Sequence, residues 1–363
     1  MRKQSGLVVI ILGLWFSTMQ FGQQAISTIL LPMSMEGKYG YIDRTGRIAV
    51  QPLFDEVHPF SEGLAMIRKD GMVGYIDPAG KIVISPQYTD GGDFSAGLAR
   101  IVSAGKVGYI DKYGRIVIGC VYERYPFVSD NYGDRSSFGS GLALIMIGGK
   151  YGFVDMHGEI AINPQFRYAS RFCGGVAVVG NDDGDKFGYL DTTGELAIAE
   201  KYDAARNFRE GYAAISLNNK WGYINKSGQI VIKLEFDAAG EFHDGLAAIK
   251  IGDKWGFIDG KGKIKVLPQF VKAMPFSESF ARVEISDHYV FINNRGEPQF
   301  DQAFEEANDF AFGFAAVGSA KGFGYISNQG KYLWESGDGP IGISIKQLKD
   351  NANEPKVNEW WKK

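Results

Sequence analysis

The chain is poor in the residues that usually build chemical sites. It has only two cysteines, Cys120 and Cys173, with no CxxC pair, and four scattered histidines. This pattern offers no zinc framework, so neither a metal nor a cofactor is expected. Lysine and arginine total 39 against 42 aspartates and glutamates, which leaves no basic field to neutralise phosphates, so a nucleic-acid partner is not expected either. The sequence also lacks a G-x-S-x-G elbow and a Gly-rich phosphate loop.

Proline is scarce and glycine abundant. The 12 prolines and 48 glycines among 363 residues fit neither collagen nor a Pro-rich disordered chain. The sequence also carries 25 Phe, 18 Tyr and 6 Trp, and burying so many large rings can offset the entropy lost on ordering the chain. A folded protein is therefore predicted.

The amino terminus has the features of a secretory leader. Arg2 and Lys3 precede an apolar run over residues 6–16, which is too short to span a bilayer. We predict a signal peptide over residues 1–25 and an exported mature chain, periplasmic, cell-surface or secreted, with no transmembrane span. An uncleaved anchor and an apolar strand of the fold are the alternatives.

An internal repeat covers residues 36–335. Its predominant period is 34 residues, lengthened by ten residues in the third unit, over residues 119–137, and by two in the fourth. Such self-similarity is the signature of a repeat architecture. Nine copies are marked by a glycine before an aromatic residue, except that Val290 holds the eighth of these positions: Gly40, Gly74, Gly108, Gly152, Gly188, Gly222, Gly256 and Gly324.

Each unit predicts short antiparallel strands. In the copy WGYINKSGQIVI over residues 221–232, two apolar runs flank a turn in which Asp or Asn and then Gly suit a β-hairpin. A P-Q-aromatic segment is expected to open a third extended piece, and F-S-x-G-L-A-x-I a fourth. One unit is therefore three or four strands.

Aromatic columns run through the repeats in register. A single hairpin cannot bury such rings, so we expect the interfaces between neighbouring units to provide the stability. One column begins at Tyr41 and holds an aromatic residue in all nine copies, and a second is always Phe. The residues predicted to be structural are Tyr41, Phe60, Phe94, Phe172, Phe208, Phe242, Phe276 and Phe310.

The run K-W-G-Y-I-[DN]-x-x-G-[KQ]-I, most complete over residues 220–232 and 254–266, resembles the WG (KWG) repeat of bacterial proteins. The resemblance implies an all-β array of tandem β-hairpin repeats and implies no catalytic residues. The chain ends supply eight G-L-A pieces against nine W-G-Y-I-D pieces, which does not close a ring neatly. An open, twisted β-solenoid is therefore the first expectation and a closed, propeller-like ring the alternative. Residues 336–363 are expected to form a polar cap or a loose tail.

The remaining polar motifs favour structural roles. The Asp column at the hairpin turns, Asp43 to Asp259, is explained by turn chemistry better than by a pair of catalytic carboxylates. Residues 181–185 lack the ligand spacing of a calcium loop and are predicted to form a hairpin tip, and the histidines are predicted to lie in surface loops. Cys120 and Cys173 are expected to remain buried thiols, with a disulfide as the alternative.

Two sets of residues are candidate binding sites. The insertion enriches Tyr and Arg, the composition of interaction hot spots, and its candidates are Arg124, Tyr125, Phe127, Tyr132 and Arg135. Trp221 and Trp255 belong to an aromatic column that would have to be exposed to bind carbohydrate or peptidoglycan. We therefore predict a non-catalytic, exported scaffold that engages a protein or envelope polymer, with a carbohydrate-binding module as the alternative and an enzyme as the least favoured class.

Overall fold

The computed structural model of the protein describes residues 29–124, 137–181, 183–319, 322–337 and 343–344. Within these ranges the chain is all-β and contains no helix. It divides into two compact units, of which the first ends at Phe94 and the second begins at Ser95. The predicted leader over residues 1–25 lies outside the described residues, as does most of the predicted tail.

The first unit contains two antiparallel sheets, a three-stranded one formed by β1–β3 and a four-stranded one formed by β4–β7. The strands of this unit are β1 Leu31–Met35, β2 Lys38–Ile42, β3 Ile48–Phe54, β4 Glu56–Val57, β5 Ala65–Lys69, β6 Met72–Ile76, β7 Ile82–Tyr88 and β8 Asp90–Gly91.

Seven antiparallel sheets follow one another in the described part of the second unit. They are formed by β9–β11, β12–β14, β15–β18, β19–β22, β23–β26, β27–β29 and β31–β34, and β30 pairs separately with β35. The strands of the first four sheets are β9 Leu98–Ser103, β10 Lys106–Asp111, β11 Ile116–Glu123, β12 Leu142–Ile147, β13 Lys150–Asp155, β14 Ile160–Phe166, β15 Tyr168–Ala169, β16 Val176–Gly180, β17 Phe187–Asp191, β18 Leu196–Tyr202, β19 Ala204–Ala205, β20 Ala213–Leu217, β21 Lys220–Ile224 and β22 Ile230–Phe236. The remaining strands are β23 Ala238–His243, β24 Leu246–Ile251, β25 Lys254–Asp259, β26 Ile264–Phe270, β27 Lys272–Ala273, β28 Ala281–Ile285, β29 His288–Ile292, β30 Gln302–Ala303, β31 Glu306–Ala307, β32 Phe314–Ser319, β33 Gly322–Ser327, β34 Tyr332–Gly337 and β35 Ile343–Ser344.

The boundaries of a complete sheet do not coincide with the boundaries of the sequence repeat. In the sheet β19–β22, a two-residue strand comes first, followed by the G-x-A, W-G-Y-I and I-V-I strands in chain order. The P-Q-aromatic segment does not open a separate piece as expected. It continues the third long strand, so that Pro86 lies inside the seven-residue strand β7.

The hairpin turns have the predicted chemistry. At Asp191, the backbone carbonyl accepts a hydrogen bond from Gly194 N at 3.2 Å, and the carboxylate accepts from Thr193 N and Glu195 N at 2.9 and 3.1 Å. Gly194 has φ = 91°, a left-handed conformation that glycine adopts without steric cost. The assignment of the Asp column to turns is confirmed.

The repeated glycine before the aromatic residue faces a β-bulge. In the pairing of β21 with β22, Trp221 lies opposite Phe236 and Tyr223 opposite Ile232, with a shift of register between them. A Cβ on Gly222 would therefore fall against the backbone of the bulged strand. Val290 occupies the same repeat position in a copy where the segment opposite β29 is not a continuous strand and pairs only through isolated bridges, between Tyr289 and Phe304 and between Ile292 and Pro298.

The core lies between the faces of consecutive sheets. In the second unit, residues of β16–β18 such as Ile198 pack against residues of the following sheet such as Phe208. Across each interface a ring of the Tyr41 column contacts a ring of the Phe60 column, with centroids 4.7–5.2 Å apart. Phe60 is half-buried, and the other residues predicted to be structural are buried: Tyr41, Phe94, Phe172, Phe208, Phe242, Phe276 and Phe310.

These sheets are the blades of a β-propeller, two in the first unit and seven in the described part of the second. The prediction of an all-β protein with nine tandem repeats is confirmed. Of the two arrangements that the sequence left open, the propeller is supported rather than the open solenoid, because each complete sheet has four antiparallel strands that follow one another in chain order, the layout of a propeller blade. Among the described residues, no helix is long and apolar enough to cross a membrane.

Candidate functional site

The sheet β9–β11, here called the β11 blade, presents large apolar side chains to solvent. Tyr113, at the turn between β10 and β11, is 80% exposed, and Ile116 and Val121 are 62% and 66% exposed. Val117 is exposed on the same strand. The opposite side of β11 anchors it, since Ile118 and Tyr122 belong to the buried core of the blade. The blade therefore offers an apolar surface on a rigid support.

Two charged groups frame this surface. Arg115 lies 2.6 Å from a carboxylate oxygen of Asp111, and its guanidinium is stacked 5.2 Å from the centroid of the Tyr113 ring. At the other end of β11, Glu123 accepts hydrogen bonds from Gly148 N and Gly149 N at 2.8 and 3.2 Å. These donors hold the pKa of Glu123 below its usual range, so a negative charge persists at the end of the strand.

The insertion predicted to bind a partner starts at the end of this blade. Arg124 follows β11 directly and is exposed. Tyr125, Phe127, Tyr132 and Arg135 lie outside the described residues. The chain is described again from Ser137, whose hydroxyl accepts a hydrogen bond from Arg171 at 3.2 Å. The insertion is thus tied to the β11 blade at its start and to the Arg171 loop at its end.

The two candidate tryptophans lie on different blades, Trp221 on β21 and Trp255 on β25. Both are half-buried and pack against core clusters. The guanidinium of Arg206 lies 5.3 Å from the centroid of Trp221. Each ring therefore contributes to an interface between neighbouring blades, and the structure does not bring the two together.

The aromatic column that includes these tryptophans is not an exposed platform. Among its members only Tyr39 is classed as exposed, whereas the valines that replace the ring in two copies are buried. The remaining members are half-buried: Tyr151, Phe187, Trp221, Trp255, Tyr289 and Phe323. The condition that carbohydrate recognition required is therefore not met by this column.

Several turn carboxylates have a lowered pKa. The pKa of Asp155 is held below its usual range, mainly by the backbone N–H of Glu159 and also by that of His157. A general acid needs the opposite shift. Each carboxylate of this kind serves its own hairpin, and the described residues contain no group of three or more His, Cys, Asp or Glu that could hold a metal ion.

A set of polar residues around the Phe column was not predicted from the sequence. His58 is half-buried in the first unit, with its ring nitrogens 3.0 Å from Asp93 and 3.4 Å from Glu56. The hydrogen bond to Asp93 raises the pKa of His58, although burial opposes the shift. His58 therefore lies in a loop, as predicted, but it is half-buried and paired with two carboxylates.

A second such group surrounds Glu241 in the second unit. One carboxylate oxygen lies 3.5 Å from Arg209 and 3.9 Å from His243, while the other is buried and makes no hydrogen bond within the described part of the chain. Burial raises the pKa of Glu241, and the nearby arginines only partly offset it. The signal for these residues was available, because the position before the Phe column is polar in most copies: Asp93, Ser137, Arg171, Asn207, Glu241 and Asp309.

The other flagged motifs have structural explanations. Asn181 caps its own loop, with Oδ1 accepting from Gly184 N at 2.8 Å and from Asp185 N at 3.1 Å, as expected for a hairpin tip. Cys120 and Cys173 are both free and half-buried. The expectation of two thiols agrees with the structure, although neither thiol is fully buried.

Comparison with known proteins identifies the repeat. The family model described as "WG containing repeat" matches residues 39–72, 74–106, 151–184, 187–221, 221–255 and 255–289, which together are more than half of the chain. No curated protein matches the sequence.

Solved structures show similarity of fold at low identity. The crystal structure of the eukaryotic initiation factor superposes with a TM-score of 0.60 at 12% identity, over 86% of this chain and 96% of that one. Dihydro-heme d1 dehydrogenase NirN in complex with DHE gives a TM-score of 0.45 at 12% identity, over 88% of this chain and 74% of that one. Apo AztD from Citrobacter koseri gives 0.41 at 12% identity, over 87% and 96%. At this identity the likeness concerns the fold alone.

Proposed function

The chain belongs to the family of WG-containing repeats, and on that premise we propose that it is a non-catalytic, exported scaffold whose β11 blade binds a protein. The observation that carries the proposal is the exposure of Tyr113, Ile116 and Val121 on one rigid strand and its turn. An apolar surface rimmed by Arg115 and Arg124 has the composition of protein interaction sites.

A protein partner accounts for this surface better than an envelope polymer does. Sugar rings bind by stacking on exposed aromatic faces, and the repeated rings of this chain are buried or half-buried between blades, apart from the exposed Tyr39. On the β11 blade the exposed residues are mainly aliphatic, with Tyr113 as the one aromatic ring among them. Aliphatic surface is desolvated by another apolar protein surface.

Site-specific photo-crosslinking tests the proposed surface. A photoreactive phenylalanine analogue replaces Tyr113 in the full-length chain, and in a matched variant it replaces Ser227, the equivalent turn residue of another blade. Irradiation of producing cells is expected to give a discrete protein adduct from position 113 and none from position 227. Equal labelling at both positions, or labelling at neither, would contradict the proposal.

The polymer alternative is tested separately by sedimentation with purified peptidoglycan. The chain is expected to remain in the supernatant. Co-sedimentation that is lost in the double variant Trp221→Ala and Trp255→Ala would instead establish envelope-polymer binding and overturn the proposed function.

Export is the second part of the proposal and depends on residues 1–25. Cell fractionation and intact-mass measurement of the recovered protein are expected to show a chain outside the cytoplasm that lacks the leader. Replacing Arg2 and Lys3 with glutamates is expected to retain the protein in the cytoplasm. Recovery of the uncleaved wild-type chain from the cytoplasm would contradict export.

A further inference from the structure

The sheet β27–β29 is built differently from the sheets that precede it. In those sheets the outer strand has seven or eight residues. In the described structure of this copy, the segment opposite β29 pairs with it only through isolated bridges, and the two-residue strand β30 is the regular part of that segment. The strand β30 therefore takes the place of the outer strand.

A strand from further along the chain covers this edge. The strand β35 pairs antiparallel with β30, with Gln302 opposite Ser344 and Ala303 opposite Ile343. Ala303 is 0% exposed, whereas six earlier copies expose the residue at the same repeat position: Leu53, Gln87, Val121, Gln165, Lys201 and Glu235. The edge of β30 is thus a place where this fold holds an added strand.

The backbone of β30 shows which of its groups serve the added strand. Phe304 N donates to the carbonyl oxygen of Tyr289 at 3.0 Å, and Phe304 O accepts from Tyr289 N at 2.7 Å. Successive residues of a strand direct their backbone groups to opposite sides, so the N–H and C=O of Ala303 point away from β29. Ala303 and Ile343 therefore form the hydrogen-bonded pair, and Gln302 and Ser344 form the non-hydrogen-bonded pair.

This pairing is short enough to be exchanged. Each backbone hydrogen bond contributes about 1 kcal/mol net, and a strand of two residues is expected to open locally far more often than the blade unfolds. The chain around β35 has isoleucine at every second position, in the sequence IGISI over residues 341–345. In strand addition, the backbone provides affinity and such alternating side chains provide selectivity.

We propose that the edge of β30 is a strand-acceptor site for an extended segment of a partner protein, and that β35 is its intramolecular occupant. The partner segment has a β-branched apolar residue at every second position and a free N–H where β35 has Ile343. It replaces β35 by forming the same backbone hydrogen bonds with Ala303. This site lies on a different sheet from the β11 blade, so the inference goes beyond the proposed function.

The first test shows whether β35 occupies the site within one chain. In a full-length Cys120→Ser and Cys173→Ser background, Gln302→Cys and Ser344→Cys form a non-hydrogen-bonded pair, whose Cα atoms lie about 4.5 Å apart, within disulfide range. Oxidation is expected to give a monomer with an internal disulfide. Gln302→Cys with Ile343→Cys, one residue out of register, is the control and is expected to oxidise less. A disulfide-linked dimer would overturn the intramolecular occupant.

The second test measures strand addition directly. The probe is a fluorescent peptide with the sequence of residues 340–347, PIGISIKQ, titrated with the full-length chain and followed by anisotropy. Ile343→Pro removes the N–H that faces Ala303 and is expected to release β35. A tethered strand competes at an effective concentration on the order of millimolar. The Ile343→Pro chain is therefore expected to bind the peptide at least about tenfold more tightly than the wild type.

The neighbouring residue provides a matched control. The N–H of Ser344 points away from β30, so proline is tolerated there, and the Ser344→Pro chain is expected to bind the peptide like the wild type. The same pair of substitutions is made in the peptide. A peptide with Ile343→Pro is expected not to bind the released chain, whereas one with Ser344→Pro binds it. Circular dichroism and urea unfolding of each full-length variant establish that the fold is retained.

The disulfide-locked chain keeps the proposal testable even if a proline variant unfolds. The oxidised chain is expected not to bind the peptide, and reduction is expected to restore wild-type binding in the same molecule. Equal binding before and after reduction would place the peptide elsewhere and overturn the site. A folded Ile343→Pro chain that binds no better than the wild type would make β35 a permanent cover and overturn the exchange. Neither result affects the Tyr113 adduct, which tests the proposed function alone.

Discussion

A Cβ atom on Gly222 would lie 2.6 Å from the carbonyl oxygen of Ile232 on the neighbouring strand. Real Cβ atoms do not approach backbone oxygens so closely, so the bulged strand would have to move. The equivalent glycines of other repeats show the same approach, at 2.4 Å for Gly40 and 2.5 Å for Gly256. The glycine of the repeat signature is therefore required by the bulge.

Replacing this glycine is expected to be severe. We predict that Gly222→Ala lowers the free energy of unfolding by about 3 kcal/mol, since the added methyl group meets backbone rather than a flexible side chain. Urea denaturation followed by tryptophan fluorescence measures the change. Gly240→Ala is the control, because its nearest neighbour would lie at an ordinary 3.5 Å; an equal loss in both variants would contradict the explanation.

The carboxylates at the left-handed corners are expected to hold neighbouring repeats together. Asp244, at φ = 51°, accepts a hydrogen bond from Ser279 N at 2.8 Å, 35 residues further along the chain. Asp244→Ala removes the acceptor and is expected to cost about 1 kcal/mol. Asp244→Asn retains an acceptor and should cost less than about half of that.

The control for this prediction is Asp253→Ala, an exposed acid of the second unit. Its effect on the midpoint of urea unfolding is expected to be within about 0.5 kcal/mol. If Asp244→Ala behaved like this control, the corner hydrogen bond would contribute nothing measurable.

His58 is expected to make the stability of the first unit depend on pH. Its pKa is raised in the folded state by Asp93 and Glu56, so its contribution is complete below the unfolded pKa of about 6.5 and is lost as the pH rises through the folded value. The difference in unfolding free energy between wild type and His58→Gln should be greatest in mild acid, at up to about 1 kcal/mol after solvent screening.

This titration is measured by repeating the denaturation curves from about pH 5.5 to pH 9. Glu56 remains ionised over that range, because its pKa is itself lowered, chiefly by its hydrogen bond with Arg68. A wild-type advantage that grew with rising pH would show that the sign is wrong.

For Glu241 the expectation is the reverse of that for His58, because removing the charge of Glu241 is expected to stabilise the protein. Its folded pKa is raised by burial, so it favours the folded state below the unfolded pKa and opposes it as the pH rises through the folded value. We predict that Glu241→Gln increases the unfolding free energy at neutral pH by about 1 kcal/mol.

The test is the pH dependence of this gain in unfolding free energy. The gain should vanish in acid, where the side chain at position 241 is neutral in both the wild type and the glutamine variant. Asp253→Asn is a suitable control, since no comparable burial affects it. A loss of stability at neutral pH in Glu241→Gln would mean that Arg206 and Arg209 outweigh the cost of burying the charge.

The repetitive part of the fold could be predicted from the sequence because each column of recurring residues meets one physical requirement. The ring at Tyr223 and the ring at Phe242 recur since they contact each other across a blade interface, at 4.9 Å. The sequence also contains a regular spacing of Lys and Asp, from which no contact was predicted. Lys220 and Asp237, 17 residues apart, form an ion pair at 2.7 Å, and so do Lys38 with Asp55 and Lys186 with Asp203.

The arrangement of the strands into blades was harder to predict. A strand such as β19 has two residues, which is too short to show a period, and the bulge next to Gly222 hides the register of the long strands. The insertion directed the candidate site to the β11 blade, and that location stays a prediction. The exposed edge of β11 could be recognised only after the structure showed which strand of each blade is outermost.

The mismatch between sequence unit and blade has a consequence for how such chains can change in length. In each complete blade the short first strand lies just after the aromatic residue that ends the last long strand of the preceding blade. A 34-residue segment that is excised or copied at any breakpoint therefore still contains one full complement of strands. Unequal recombination between repeats would therefore not need a preferred junction. The ten extra residues of the third unit are the kind of irregularity that would remain as a marker of which copy is which.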